Sequence, residues 1–223
     1  MSIVRRAIDT QIEKLLVSEY HHAYGTHMSR LTRAESQAHT REQLVTTARE
    51  LFLAHGYTAT SLERVAETAG FSKGAVYSNF RNKDGLCLAV LDAIHEEQAE
   101  GVNAALSATS TLDELLVALR DWAEQNIGDQ AWTALEVEFA TRVRHDQQVR
   151  NALAARDKAI RANLAELLAT HADRLDVTLP LPAADCATAV LSMGIGLGVQ
   201  RAVDPDIPIR VLPEVIRLLI NRE

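Results

Sequence analysis

An all-α fold is the expectation for this 223-residue sequence, on three observations. There are only five prolines, and Ala, Leu, Glu and Arg, the strongest helix formers, recur in long runs. Apolar residues return every three or four positions along most of the chain, and no run alternates polar and apolar as a half-buried strand does. Between the periodic stretches stand short clusters of Asp, Gly, Pro and Ser, which turn a chain for definite stereochemical reasons. The hydrophobic share of 47% and charged share of 24% are ordinary for a globular protein, so a real core is available.

Residues 1–39 read as an extension. Val4, Ile8, Ile12, Leu15 and Leu16 predict an amphipathic helix over 3–18, followed by an aperiodic stretch with His21, His22 and His27. Met28 as a second start, or the whole segment as an added arm, are both open. From Thr40 a stripe of Leu44, Ala48, Leu51 and Phe52 predicts a helix that Gly56-Tyr57 ends. Thr60, with Glu63 three positions later, predicts a capping box opening a second helix with Leu62, Val65 and Ala66 inward. Gly70 supplies its left-handed stop, and Ser72 caps a third helix from Lys73 to Asn79. Two short helices around a glycine turn form a helix-turn-helix layout. Six longer helices follow, predicted at 83–106, 111–127, 130–144, 147–171, 183–203 and 208–222.

The net charge of −7 divides unevenly. Residues 1–83 carry 11 Lys+Arg against 8 Asp+Glu, a net +3, and residues 84–223 carry 12 against 22, a net −10. A mildly basic front and an acidic back orient a molecule toward a phosphate surface. The two cysteines, Cys87 and Cys186, sit in apolar helical settings and read as reduced thiols. The apolar run from Ala187 to Val199 falls short of a membrane span, and the first twenty residues are charged throughout, so a cytoplasmic protein with no membrane partner is expected. No HExxH, GxSxG or phosphate loop occurs, and the histidines of the extension match no tetrahedral zinc spacing. Neither enzyme, metal nor cofactor is therefore expected.

Residues 56–85 carry Gly56-Tyr57, Thr60-Ser61, Val65-Ala66, Gly70, Ser72-Lys73-Gly74, Val76-Tyr77, Phe80 and Asn82-Lys83-Asp84 at fixed spacing. This segment resembles the DNA-binding region of the TetR family of bacterial transcriptional regulators, specifically over residues 41–90. The resemblance implies a three-helix DNA-binding domain at 40–85 and a helical ligand-binding and dimerisation domain at 86–223. It further implies a repressor released from a palindromic operator by a small-molecule effector. The residue types support the same reading on their own. The N-terminus of the third helix offers free amides and a positive dipole end to phosphate, where Ser72, Lys73 and Gly74 stand. Tyr77 and Ser78 lie one turn on, Lys83 opens the next helix on the other side of the groove, and Thr60 and Ser61 begin the helix before.

One recognition helix makes few contacts, so two are needed, spaced about 34–36 Å apart by a dimer. The last two helices are more apolar than surface helices require, and Gly194, Gly198, Val215 and Leu219 are the predicted dimer contacts, with an internal core position for both helices as the alternative. Stripes on the middle helices predict an effector pocket formed by Trp122, Trp132, Leu135, Glu136, Phe139 and Met193, with plain core as the alternative. An inward Glu136 needs either a polar ligand or a partner such as Arg120. Glu138 and Arg142, four apart, read as a solvated pair on the opposite face.

Overall fold

The structure, a computed structural model, describes residues 32–220, and among these nine helices and no strands occur. They are α1 (Arg33–Ala59), α2 (Leu62–Ala69), α3 (Lys73–Asn79), α4 (Lys83–Ser107), α5 (Leu112–Asn126), α6 (Gln130–Arg142), α7 (Gln147–Arg174), α8 (Ala183–Val203) and α9 (Val211–Ile220). Each of the six longer helices begins within three residues of its predicted start, and the first five end within three residues of their predicted ends; the predicted end of the last, at 222, lies outside the described residues. The predicted helix at 3–18 and the histidines at 21, 22 and 27 lie outside the described residues.

α1 starts at Arg33, earlier than the stripe beginning at Leu44 suggests. A reciprocal cap explains the early start: the Glu35 amide donates to Thr32 Oγ1 at 3.2 Å, and the Thr32 amide donates to Glu35 Oε2 at 2.7 Å. Leu44, Ala48 and Phe52 then face inward. Gly56, at φ 82° and ψ 165°, breaks the helix in a region open essentially to glycine alone. α2 presents Leu62, Val65 and Ala66 to the core and stops at Gly70 in the left-handed conformation, φ 75°.

The expected division between residues 85 and 86 falls inside α4, an uninterrupted helix. One apolar cluster runs across it. Leu44, Phe52, Tyr57, Val65, Val76 and Phe80 of the head pack with Leu86, Val90 and Ile94 of α4 and with Leu135 and Phe139 of α6. A second, smaller cluster joins Ala123, Leu197, Ile209 and Leu212, with Trp122, Ile127, Val190 and Met193 against it.

Two arginines tie the far half together. Arg201 donates to the Ile127 carbonyl at 3.1 Å, the Ile207 carbonyl at 2.6 Å and Glu124 at 3.0 Å. It thereby binds the α5–α6 turn to the loop between α8 and α9. Gly128, at φ 101°, lies so close that a Cβ there would stand 2.6 Å from Arg201 Cβ. Arg174 donates to the Leu106, Ser107 and Thr109 carbonyls, which satisfies the open C-terminal end of α4.

Arg174 also donates to His171 Nδ1 at 2.9 Å, which leaves the buried ring neutral with its hydrogen on Nε2. Burial, with the guanidinium charge second, holds the His171 pKa below its ordinary 6.5. The unfolded chain binds a proton near 6.5 and the folded chain only lower. The contribution to stability is therefore complete above 6.5 and is lost as the pH falls toward the folded value. Urea midpoints measured across that interval are expected to drop with acid less steeply in His171→Gln than in wild type. Equal slopes would remove His171 from the acid response.

α8 and α9 depart from expectation in two respects. Gly198 is buried, and a Cβ built on it meets Ile127 Cγ2 at 3.8 Å and the Gly128 amide at 4.0 Å; at Gly194 it meets Ile127 Cδ1 at 4.0 Å. Gly198, and Gly194 at the edge of contact, thus lie against the α5–α6 turn of their own chain. The outward face carries Ile195 (54% exposed), Val199 (41%) and Val203 (85%) on α8, with Leu218 (71%) and Leu219 (38%) on α9. Val215 is half-buried. Extended by residues 183–186 and 200–203, α8 is also long and apolar enough to cross a membrane by length and composition, which the shorter run from Ala187 to Val199 did not suggest.

Candidate nucleic-acid interface

α3 is held to the body by one side and is open on the other. Val76 is fully buried, and Phe80 just beyond the helix is 3% exposed. Arg41 lies over the Phe80 ring at 4.3 Å and donates to the Asn79 carbonyl at 3.0 Å, placing a cation at the negative end of α3. Sequence reading missed Arg41, because its partners lie 38 and 39 residues further on and no local pattern points to them. On the open side stand Ser72, Lys73, Gly74, Tyr77 and Ser78, all exposed. Ser72 caps the helix, its Oγ accepting from the Ala75 amide at 3.2 Å. Ser78 donates to the Ala75 carbonyl. Lys73 pairs with Glu63 of α2 and lies 5.8 Å from the Tyr77 ring centre. That pairing raises the Lys73 pKa, so the ammonium stays charged. A Cβ on Gly74 would make only an ordinary contact, 3.7 Å from Ser72 Oγ. Nothing within its own surroundings requires glycine there, although glycine in a helix costs about 1 kcal/mol against alanine.

Two predicted contacts change. Thr60 does not cap α2 and does not face solvent. It is 1% exposed, and its hydroxyl donates to the Gly56 carbonyl at 2.9 Å and also lies 3.2 Å from the Leu51 carbonyl. Ser61 is the cap, accepting from the Arg64 amide at 3.1 Å. The register slips by one because the break at Gly56 leaves carbonyls that need a donor, and Thr60 is in reach. Lys83 does open α4, but its ammonium lies 4.2 Å over the Tyr57 ring and donates to the Thr58 carbonyl at 3.2 Å. Burial lowers its pKa, against the pull of Glu138 and Asp84. Lys83 therefore braces the α1–α2 elbow before it serves any outside phosphate.

The elbow itself is gripped from α6. Glu138 accepts from the Tyr57 amide and the Thr58 amide, each at 2.8 Å, one carboxylate oxygen apiece. Desolvation acts to raise its pKa, but the bonds from Thr58 and Tyr57 and the Lys83 charge outweigh it and keep the carboxylate below the usual range. Glu138 is thus a capping group and not half of a solvated pair with Arg142. The Tyr57 hydroxyl donates to Asp84, and its ring meets Phe139 edge-on at 5.1 Å.

Residues 44–90 match the family described as bacterial regulatory proteins of the tetR family, and residues 111–222 match the C-terminal domain of BetI-type transcriptional repressors. The second match alone covers half of the chain. The chain belongs to the TetR family. Among curated proteins, this TetR-family chain is 42% identical over 69 residues to the HTH-type transcriptional regulator TtgR of Pseudomonas putida, covering 31% of the chain and 32% of that protein. It is 30% identical over 136 residues to the HTH-type transcriptional repressor Rv1474c of Mycobacterium tuberculosis, covering 60% and 64%. The match thus spans between a third and just under two thirds of these relatives' lengths. A crystal structure of a TetR-family regulator from a Rhodococcus species superposes with a TM-score of 0.69 at 16% identity, covering 82% of this chain and all of that one, a likeness of fold.

In this TetR-family chain the six residues expected to form an effector pocket fall on two different clusters, Trp132 with Leu135 and Phe139 on the head side and Trp122 with Met193 on the other. Leu135 and Phe139, 1% and 0% exposed, are plain core on the head side. Trp122 and Met193 pack on the other cluster, and Gly101 makes room for the Trp122 indole, whose Nε1 lies 3.2 Å from a Cβ built there. Trp132 and Glu136 remain together. Glu136 Oε1 meets His95 Nε2 at 2.7 Å, and the His95 ring stands edge-on to Trp132. The partner of Glu136 is therefore His95 and not Arg120, which pairs with neighbouring Asp121. Trp132 Nε1 and Gln98 Oε1 are buried without a hydrogen-bond partner among the described residues. A cleft of about 440 Å³ opens elsewhere, beside Asp173, Asp176 and Val177, and none of the six lines it.

Proposed function

We propose that the chain is a transcriptional repressor that binds a palindromic operator as a homodimer and leaves it when a small-molecule effector binds. The observation that carries the reading is α3, pinned by a fully buried Val76 while Lys73, Gly74 and Tyr77 are exposed on its outer face, Lys73 paired with Glu63 of α2. Ser61 and Ser72 cap their helices and remain exposed, so both hydroxyls can also meet a phosphate. The apolar outer face of α8 and α9 supports a second copy of the chain as its cover. Trp132 and Gln98, with unmet polar atoms beside the His95–Glu136 pair, support a polar effector between α4 and α6. A DNA-binding role is in keeping with a cytoplasmic protein.

Selection of bound duplexes from random DNA by the purified protein tests the reading, and a two-fold symmetric motif is the expected product. On that motif, Tyr77→Ala is expected to weaken binding roughly tenfold, on operator and unrelated duplex alike. The slope of log K against log salt is expected to stay nearly unchanged, because the uncharged Tyr77 hydroxyl displaces no counterion from the phosphate it meets. A changed base preference in Tyr77→Ala would mean that Tyr77 reads bases, and absence of any motif would sink the regulator reading.

A further inference from the structure

The break at Gly56 creates a second helix start inside the head. Its carbonyl side is served by Thr60, which donates to Gly56 and is also in reach of Leu51. Its amide side, the Tyr57 and Thr58 N–H groups, is served by one side chain 81 and 80 residues away, Glu138. First-turn amides lack intrahelical acceptors and carry the positive end of the dipole, so a carboxylate there acts as a cap supplied by another element. The fit is close: a Cβ on Gly56 would come within 2.9 Å of Glu138 Oε2. Beside this polar grip lies an apolar one, Phe139 against Tyr57, and Lys83 stands over the Tyr57 ring. On the same helix Glu136 points to His95 of α4. Residues two apart lie on roughly opposite sides of a helix, so α6 holds the head by one side and the interior of the C-terminal half by the other.

We propose that Glu138 is a positioning residue for DNA reading: its carboxylate, bridging the Tyr57 and Thr58 amides, sets the orientation of α2 and α3 relative to the rest of the protomer. Glu138 touches no DNA in this scheme. It fixes where the recognition helix points, and therefore which separation of half-sites two protomers span. A turn or slide of α6 lengthens both bonds at once, and hydrogen bonds weaken steeply beyond ordinary length. The inference rests on the dimeric DNA-binding reading above.

The test uses the full chain and its selected operator, two versions of that operator with one base pair added to or removed from the centre, and an unrelated duplex. Wild type is expected to prefer the native spacing. Glu138→Ala is expected to lose operator affinity about tenfold, to bind the unrelated duplex within about twofold of wild type, and to discriminate little among spacings. Glu138→Gln keeps one carbonyl acceptor and the side-chain volume, so it is expected to fall between the two. Amide hydrogen exchange at Tyr57 and Thr58 is expected to quicken in the same order. Undiminished spacing preference in both variants would overturn the inference and leave the regulator reading standing. An equal loss on operator and unrelated duplex would also overturn it, since that is the mark of a damaged head. Wild type indifferent to spacing would overturn the inference together with the dimeric operator.

Discussion

Aspartate at both Ile195 and Leu218 is expected to leave the protein monomeric and to lower operator affinity by about 100-fold or more. The two side chains are 54% and 71% exposed, on neighbouring helices whose outer faces also show Val199, Val203 and Leu219. Water gains no partner from such side chains, and large exposed apolar residues on adjacent helices ordinarily mark an interaction surface. In a two-fold interface each substitution acts twice, and each carboxylate brought into a desolvated contact without a cation is strongly unfavourable. The loss reaches DNA because a second recognition helix on the same duplex raises affinity through effective concentration and not through new contacts. Sedimentation equilibrium and gel shift on the same samples measure both effects. A double variant that remains dimeric would show that the copies meet through another surface.

Phe139→Ala is expected to cost about 3–5 kcal/mol of stability, the usual range for emptying a fully buried phenyl site. The ring is 0% exposed and edge-on to Tyr57. Its cluster holds α1, α2 and α3 together with α4 and α6. The cavity therefore opens where the head meets the rest of the chain. Urea denaturation gives the magnitude, followed by both helicity and tryptophan emission. Because Trp132 packs on the same cluster, the two signals are expected to move together. A loss under about 1 kcal/mol would mean that the head and α6 do not share a core, and the role assigned to Glu138 beside Phe139 would fall with it.

Several features of the site were legible before any coordinates because their causes are local. Gly70 stops α2 and Ser72 caps α3 through bonds that close within a few residues, so sequence spacing is enough to find them. The same holds for Val76 inward and Tyr77 outward, adjacent residues about 100° apart on one helix. Thr60 misled for an instructive reason. Its spacing to Glu63 satisfies the capping-box pattern, yet the Gly56 break offered its hydroxyl nearer carbonyls, and Ser61 took the cap. The Thr32–Glu35 cap was equally local but lay in a stretch without apolar rhythm, where a helix start draws no notice.

Sequence by itself determined the helices, their order, the turn that makes α2 and α3 a reading unit, and the charge asymmetry along the chain. Those depend on hydrogen bonds and side-chain periods that close within one or two turns. Tertiary structure alone decided that Glu138 caps the elbow, that Glu136 meets His95, and that Gly198 faces Ile127 of its own chain. A helical period states which residues share a face, but it says nothing of what that face meets. The choice is made by partners that lie 81, 41 and 71 positions away along the chain and are brought near only when the whole core closes.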